Sequence, residues 1–171
     1  MTRQILNHVR PMTNLVTLSS VEVRILRLLQ NDARMTNRRL ADAVGLAPST
    51  CLERVRRLRD AGVIVGSGLR VDPAAMGRPV GAFLFIRVRP HRRALVAPFI
   101  EHARAQPETR AVYHLTGPDD YLVQVAATSV EDLQRLVLDE FTARPEVVSV
   151  QTTLIFRHWD GGPLLPPSDG G

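Results

Sequence analysis

The hydrophobic pattern of the chain changes period near residue 80. Before it, apolar residues recur at intervals of three and four, which is the spacing of amphipathic helices. From Val80 onward, short runs rich in β-branched and aromatic residues alternate with helical stretches, which is typical of strands and helices that share one sheet. Each pattern must bury its own apolar face, so the chain is predicted to form two small cores in an α+β fold.

The first helix is predicted from a capping signal. Ser19 and Glu22 have the spacing of a capping box, in which the serine hydroxyl and the glutamate carboxylate satisfy each other's backbone amides. Apolar residues then recur at helical spacing as far as Gln30. The helix is therefore expected to run from the capping box to about Gln30.

Two more helices follow at short intervals. Thr36 is a suitable N-cap for a helix through Val44, which Gly45 ends. Pro48 begins a third helix, because a first-turn amide has no partner to lose, and Gly62 closes it. The third helix is expected to bury three apolar side chains, those of Leu52, Val55 and Leu58. Since the last two helices are separated by a tight turn, this part is predicted to be a winged helix-turn-helix domain.

The second half has the order strand, helix, strand, strand, helix, strand. This βαββαβ order is that of a ferredoxin-like domain. Ser129 caps the second helix of this half and Pro145 stops it. The strands are predicted over 80–89, 109–116, 121–128 and 147–156, and the first helix over 93–106.

These patterns divide the chain into five segments. The two domains are expected over 18–64 and 80–158, joined by a linker strand over 65–79. Residues 1–17 are treated as an N-terminal arm. The Gly- and Pro-rich residues 159–171 cannot bury a core, so they are expected to form a disordered tail.

Charge is distributed unevenly between the two halves. All 22 basic residues are arginine. The stretch that ends at Asp72 contains 12 of them and 6 acidic residues. That stretch has a net charge of +6, whereas the rest of the chain has −1. An all-arginine composition reflects codon usage first, but arginine also suits bidentate contacts to phosphate and guanine. The asymmetry predicts that the first half faces nucleic acid.

The third helix concentrates this charge. Its polar side chains are Ser49, Thr50, Glu53, Arg54, Arg56, Arg57 and Arg59. The N-terminal residues of a recognition helix meet base edges, which places Ser49, Thr50, Glu53 and Arg54 nearest the bases with Arg57 in reach. Arg56 is expected to contact phosphate. The alternative is a solvated charged face without a ligand. The capped three-helix pattern and the local positive charge favour double-stranded DNA as the partner.

Several other classes find no support in the sequence. No apolar run reaches the roughly 20 residues that a bilayer-spanning helix needs, and the first residues lack the apolar stretch of a signal peptide. A cytoplasmic, nucleoid-associated protein without a membrane partner is therefore expected. Cys51 has no second cysteine to pair with, and the five histidines show no metal-ligand spacing with it. Neither a metal nor a cofactor is expected.

Residues 18–66 resemble the N-terminal domain of the Lrp/AsnC family of "feast/famine" transcriptional regulators. The resemblance extends to the second half, where 115–123 (LTGPDDYLV) is similar to the glycine-to-Asp-Tyr hairpin of the family and Thr152 falls where its last strand carries a threonine. The chain departs from the family at Ser19 and Glu22, where two aspartates are usual. Ala47 replaces a capping serine, which predicts a weaker start of the recognition helix. The first-half match is carried by Ile25, Leu26, Asp32–Arg34, Leu40, Ala41, Val44–Leu46, Cys51–Leu58 and Gly62–Ile64.

The resemblance implies homodimers made through the ferredoxin-like domains, often assembled further, for example into octamers. It also implies a small-molecule effector, an amino acid, bound between those domains at Gly117, Asp120 and Thr152. The Asp120 carboxylate would hold the α-ammonium group, and the glycine would let the effector carboxylate approach backbone amides. The alternative for this segment is an ordinary hairpin turn without a ligand.

Two competing functions share this architecture. Some sirohaem decarboxylases look similar, and in such an enzyme Tyr113, His114 and His158 would be the residues of interest. An enzyme would not need the arginine-rich third helix, which favours a sequence-specific transcriptional regulator. The other alternative is an oligomerisation partner that does not bind DNA by itself.

Overall fold

The computed structural model describes residues 16–90 and 93–167, with the side chains of residues 93 and 94 left out. The predicted N-terminal arm, apart from residues 16 and 17, lies outside the described residues, as do the last four residues of the predicted tail. The chain forms two compact units. The second comprises Leu69–Trp159, and the first contains the residues before it together with those from Asp160 onward.

Three helices build the first unit. They are α1 (Ser20–Asn31), α2 (Asn37–Val44) and α3 (Pro48–Asp60). The predicted capping box is confirmed, because the Ser19 side chain accepts from the Glu22 amide while the Glu22 side chain accepts from the Ser19 amide. Thr36 caps α2, and Gly45 ends it with a φ of 74°, in the left-handed region that favours glycine. The core is formed by Ile25, Leu26, Leu40, Ala41, Val44, Cys51, Val55 and Leu58.

The predicted apolar stripe of α3 is wrong at one position. Cys51 is fully buried, whereas Leu52 is 36% exposed. At about 100° per residue, Cys51, Val55 and Leu58 fall within a narrow arc, and Leu52 lies outside it. Burial raises the pKa of the Cys51 thiol, as suits a packing residue.

The predicted linker strand over 65–79 is also wrong. The chain there is extended without strand pairing and then forms a turn, in which the Asp72 carboxylate accepts from the Ala74 amide at 3.0 Å. Val65 and Leu69 are more than 80% exposed. A β-branched segment needs a neighbouring strand to form a ladder, and this segment has none within the described chain.

The second unit is a four-stranded antiparallel sheet with helices on one face. The strands lie in the order β2-β3-β1-β4, and consecutive βα elements follow the predicted order. The strands are β1 (Val80–Val88), β2 (Thr109–His114), β3 (Tyr121–Ala127) and β4 (Val147–Leu154), and the helices are α4 (Arg93–Ala105) and α5 (Val130–Arg135), which continues as a π-helix over Leu136–Thr142.

The two faces of this sheet differ. Side chains that alternate along β1 and β3, among them Leu84, Ile86 and Val123, are fully buried against Phe99 and Phe141 of the helices. The opposite face carries Phe83, Phe85 and Leu122, which stay partly exposed, and Tyr113, which is 48% exposed. We refer to these four residues as the open face.

The described part of the tail contains neither helix nor strand. Its main chain is nevertheless attached at one point, because the Gln30 side-chain amide donates to the Leu164 carbonyl at 2.9 Å and accepts from the Leu164 amide at 2.8 Å. Leu164 itself is exposed. Among the helices described, none combines the length and apolar content needed to cross a membrane.

Candidate functional sites

The exposed side of α3 carries the residues predicted to bind DNA. Ser49, Glu53 and Arg56 are exposed, and Thr50 and Arg54 are half-buried. Arg56 has no hydrogen-bond or ion-pair partner within the described parts of the chain. Because all these positions lie on one short helix, the helix itself brings them to a single surface.

Beneath this surface lies a buried carboxylate. Glu22 is fully buried, and its Oε2 accepts from the Ser19 amide at 2.9 Å and from the Ser19 hydroxyl at 2.8 Å. Its Oε1 accepts from Nε of Arg57 at 2.9 Å and also from Nη2 of Arg57. Nη1 of Arg54 is 3.7 Å from the same oxygen. The first turn of α1 is thereby fastened to the last turn of α3.

Glu22 is charged in this setting. Burial alone would raise the pKa of its carboxyl group, but the hydrogen bonds from Ser19 and Arg57 outweigh burial and lower the pKa below its ordinary value. A buried anion that is fully hydrogen-bonded orients its cationic partner. The Arg57 side chain, which is 58% exposed, is therefore held in a fixed position at the protein surface.

The Glu22 contact is the part of this site that sequence reasoning missed, since Glu22 was assigned only a capping role. A signal was present: Glu22 precedes Ile25 by three residues and so lies on the apolar side of α1, where a carboxylate needs a cation. Exposed Arg38 and Arg39, in the first turn of α2, were also left unassigned. Both add positive charge to the exposed side of α2.

The start of α3 confirms the weaker cap predicted for Ala47. Ala47 makes no side-chain cap hydrogen bond, and Pro48 occupies the first turn. A different contact secures the turn, because the Asn37 side-chain amide donates to the Pro48 carbonyl at 2.8 Å. The start of α2 therefore fixes the start of α3.

The hairpin between β2 and β3 carries two of the predicted effector residues. Gly117 has a φ of 134°, which favours glycine, and nothing lies within 4 Å of the position a Cβ would take. Asp120 is 8% exposed, and its Oδ2 accepts from the Val88 amide at 2.7 Å and from Nη1 of Arg89 at 3.1 Å. Its carboxylate therefore fastens the hairpin to the end of β1.

Thr152 lies elsewhere on the same sheet. It is exposed on β4, opposite Leu84 of β1. The hairpin adjoins β3 on the other side of β1, and two strand spacings separate β3 from β4 by about 10 Å. Within one chain, β1 therefore lies between Thr152 and the strand that adjoins the hairpin of Gly117 and Asp120.

Two residues of the competing enzyme hypothesis, Tyr113 and His114, lie next to each other on β2 and point to opposite faces of the sheet. Tyr113 pairs with Leu122 on the open face, whereas His114 stacks on Tyr121, whose side chain is buried on the helix side, with ring centroids 5.0 Å apart. Consecutive strand residues point to opposite faces, so these two side chains do not converge. Across 16–90 and 93–167, no three His, Cys, Asp or Glu side chains group in a way that could hold a metal ion.

Comparison with known families matches both units. The family model described as "Winged helix-turn-helix DNA-binding" matches residues 18–65, and the model described as "Lrp/AsnC ligand binding domain" matches residues 81–164. The chain is 44% identical to the HTH-type transcriptional regulator AldR of Mycobacterium tuberculosis, over 84% of this chain and 80% of that protein. It is 34% identical to the leucine-responsive regulatory protein of Rhizobium meliloti, over 83% and 91% of the two chains.

Solved structures of other regulators have a similar fold. A transcriptional regulator from Neisseria meningitidis, solved in complex with L-methionine, superposes with a TM-score of 0.80 at 30% identity and covers 88% of this chain and 97% of that one. The crystal structure of M. tuberculosis AldR gives a TM-score of 0.65 at 42% identity, with 85% and 99% of the two chains covered. The relatives named here are transcriptional regulators, none of them an enzyme.

Proposed function

The chain belongs to the Lrp/AsnC family of DNA-binding transcriptional regulators, and from this premise we propose that an amino acid bound by its second unit controls its attachment to specific DNA sites. The chain is a regulator and not an enzyme. The observation that carries the DNA-binding part is the polar surface of α3, held in place from below by the buried Glu22 carboxylate.

On DNA, some residues of α3 contact base edges and others contact the phosphate backbone of the DNA. Ser49, Thr50, Glu53 and Arg54 lie toward the start of the helix, where side chains meet base edges in the major groove. Arg56 and Arg57 lie further along and contact phosphates. Two copies would place their helices in successive major grooves, so the operator is a pseudo-palindrome with half-sites spaced by about 10 bp or a multiple of it.

The open face is the surface through which two copies associate. Phe83, Phe85 and Leu122 leave an apolar sheet face without helices, and burying such a face stabilises an assembly by about 25 cal/mol per Å² of apolar surface. Packing one sheet on its copy gives the homodimer, and the dimers can assemble further, up to an octamer. The regulator works on chromosomal DNA, as a nucleoid-associated protein.

The effector is an amino acid, in line with the L-methionine complex of the related N. meningitidis regulator. Gly117, Asp120 and Thr152 are its site residues, with Asp120 acting by holding the hairpin in place. Thr152 lies across β1 from the hairpin, so the site is completed between the hairpin of one copy and β4 of another. Binding changes DNA affinity only if the amino acid has different affinities for two states of the assembly.

The DNA-binding part is tested by salt dependence. The double variant Arg54→Ala/Arg57→Ala and the control Arg104→Ala, an exposed arginine on α4, are compared with the parent protein on a promoter fragment from upstream of its own gene. Each lost phosphate contact lowers the slope of log affinity against log salt by about 0.9. We expect weaker binding and a smaller slope for the double variant, with both unchanged for Arg104→Ala. If the folded double variant keeps its affinity and slope, α3 is not the DNA-binding element.

A further inference from the structure

One arginine beside the hairpin is incompletely paired. Arg87 lies near the end of β1, and strand alternation places it on the side of the open face. Its Nε donates to the Pro118 carbonyl at 2.8 Å, and its Nη2 is 3.8 Å from Oδ1 of Asp119, too far for a hydrogen bond. Within the described residues, neither terminal nitrogen of Arg87 has a hydrogen-bond acceptor. The side chain is 40% exposed.

The neighbouring ion pair of the same hairpin is complete. Arg89 meets the Asp120 carboxylate at 3.1 Å, and the Val88 amide donates to the same oxygen. Asp119, in contrast, accepts no hydrogen bond from the described residues. The hairpin thus carries one closed ion pair, which fixes its position, and one open pair, in which the terminal nitrogens of Arg87 and the carboxylate of Asp119 make no hydrogen bond within the described residues.

Each charge of the open pair is opposite to one of the two charges of a free amino acid. A free α-amino acid holds its carboxylate and its ammonium group on one carbon atom. Arg87 offers a planar fork of N–H donors that fits a carboxylate, and Asp119 offers carboxylate oxygens that accept from an ammonium group. The contact with the Pro118 carbonyl orients the fork. Gly117, which precedes Pro118, leaves open space in the same hairpin, because nothing lies within 4 Å of the position its Cβ would take.

We infer that Arg87 and Asp119 bind the α-carboxylate and the α-ammonium group of the effector, while Asp120 is a positioning residue that holds the hairpin. This inference rests on the proposed function, since it names the groups that recognise the amino acid. Inserting the zwitterion replaces one long ion pair with two charge-assisted contacts. Any ligand that lacks either charge loses one of the two contacts.

Calorimetric titration of the full-length protein with each of the twenty protein amino acids identifies a ligand first. The same ligand and its carboxamide, which lacks the carboxylate charge, are then titrated into the parent protein and into Arg87→Gln, Arg87→Lys and Asp119→Asn. The matched controls are Arg104→Gln and Glu101→Gln, which remove the same charges from exposed positions on α4. Thermal melting shows whether each variant is folded.

We expect Arg87→Gln and Asp119→Asn to weaken binding at least 10-fold, Arg87→Lys to weaken it less, and the controls to have no effect. The parent should bind the carboxamide at least 10-fold more weakly than the acid, and Arg87→Gln should lose this discrimination. Binding by both charge-removing variants within twofold of the parent would overturn the inference while leaving amino-acid control intact. If the parent binds none of the twenty amino acids, the proposed amino-acid control fails, and the inference fails with it.

Discussion

The recognition helix and the hairpin use charge in the same way, although one belongs to a helical unit and the other to a sheet. In each, one charged residue predicted to face a ligand is committed to an internal contact: Arg57 to Glu22 and Asp120 to Arg89. Beside each lies a charged residue whose side chain makes no hydrogen bond within the described residues: Arg56 on α3, and Asp119 in the hairpin, which lies 3.8 Å from Nη2 of Arg87. The committed residue is held in one position by its internal partner, and its neighbour keeps more of its hydrogen-bonding groups available to a ligand.

The two internal contacts differ in how deeply they are buried. Glu22 is fully buried, whereas Asp120 retains 8% exposure and its partner Arg89 has a side chain that is 49% exposed. Removing a carboxylate leaves unpaired donors behind, and this costs more where water cannot replace it. The helical unit should therefore be the more sensitive of the two to loss of its anchor.

The substitution Glu22→Ala should have the largest effect. It removes the acceptor of the Ser19 amide and of the Arg57 guanidinium, and we expect a loss of about 2–3 kcal/mol in the free energy of unfolding. Urea denaturation followed by circular dichroism measures it. Asp42→Asn, at an exposed position of α2, is the control and should change stability by about 0.5 kcal/mol or less. Equal stabilities of the two variants would show that Glu22 is not an anchor.

Replacement of Asp120 by Asn should cost less. The amide retains shape but loses the charge that attracts the Val88 amide and Arg89, which is worth about 1–2 kcal/mol. The adjacent Asp119→Asn is the matched control, with an expected change of about 0.5 kcal/mol or less. Denaturation of the two variants side by side separates the closed pair from the open one. A larger loss for Asp119→Asn would reverse the roles given to the two aspartates.

The variant Arg56→Ala should weaken DNA binding with little change in stability. Arg56 has no partner in the described chain, so its loss should lower the salt slope of binding by about 1 and change the unfolding free energy by about 0.5 kcal/mol or less. Arg57→Ala, in contrast, should reduce both quantities because it also releases Glu22. Fluorescence anisotropy and urea denaturation on the same two proteins provide the comparison. Identical stabilities would contradict a structural role for Arg57.

Acidification should reduce the contribution of Glu22 to stability. The folded protein lowers the pKa of Glu22, so the stability it adds is fully present above the ordinary glutamate value of about 4.3 and is lost as the pH falls through the lower, folded value. The stability difference between the parent and Glu22→Gln should thus shrink between pH 5 and the acid limit. A difference that grew on acidification would mean that burial, and not hydrogen bonding, controls this carboxyl group.

The helical unit was predictable because its signals are local. The capping box at Ser19, the glycine at Gly45 and the charged face of α3 each depend on residues within one or two turns. The misplaced Leu52 shows the limit: a leucine three residues before Val55 resembles a core residue, but the narrower arc of Cys51, Val55 and Leu58 is the one that packs in the core with α1 and α2. The contact of Glu22 with Arg57 spans 35 residues of sequence, so it required the fold.

The sheet unit was predictable in its element order and less so in its site. Strand pairing determines that Asp120 reaches the Val88 amide and that Thr152 lies on the far side of β1. The registers of β1 with β3 and of β1 with β4 cannot be read from the spacing of residues in the sequence. The linker strand was wrong for a related reason, since a β-forming composition does not supply a neighbouring strand. Arg87 went unnoticed because its proximity to the hairpin exists only after β1 and β3 have paired.

A footprint on the promoter upstream of the gene for this protein tests the central claim most directly. It should be recorded with the parent protein and with the Arg54→Ala/Arg57→Ala variant, with and without a pool of amino acids. The account predicts protected half-sites spaced by about 10 bp or a multiple of it, an altered pattern when amino acids are added, and no protection by the variant. Protection that is the same for the parent and the folded variant, and that amino acids leave unchanged, would contradict it.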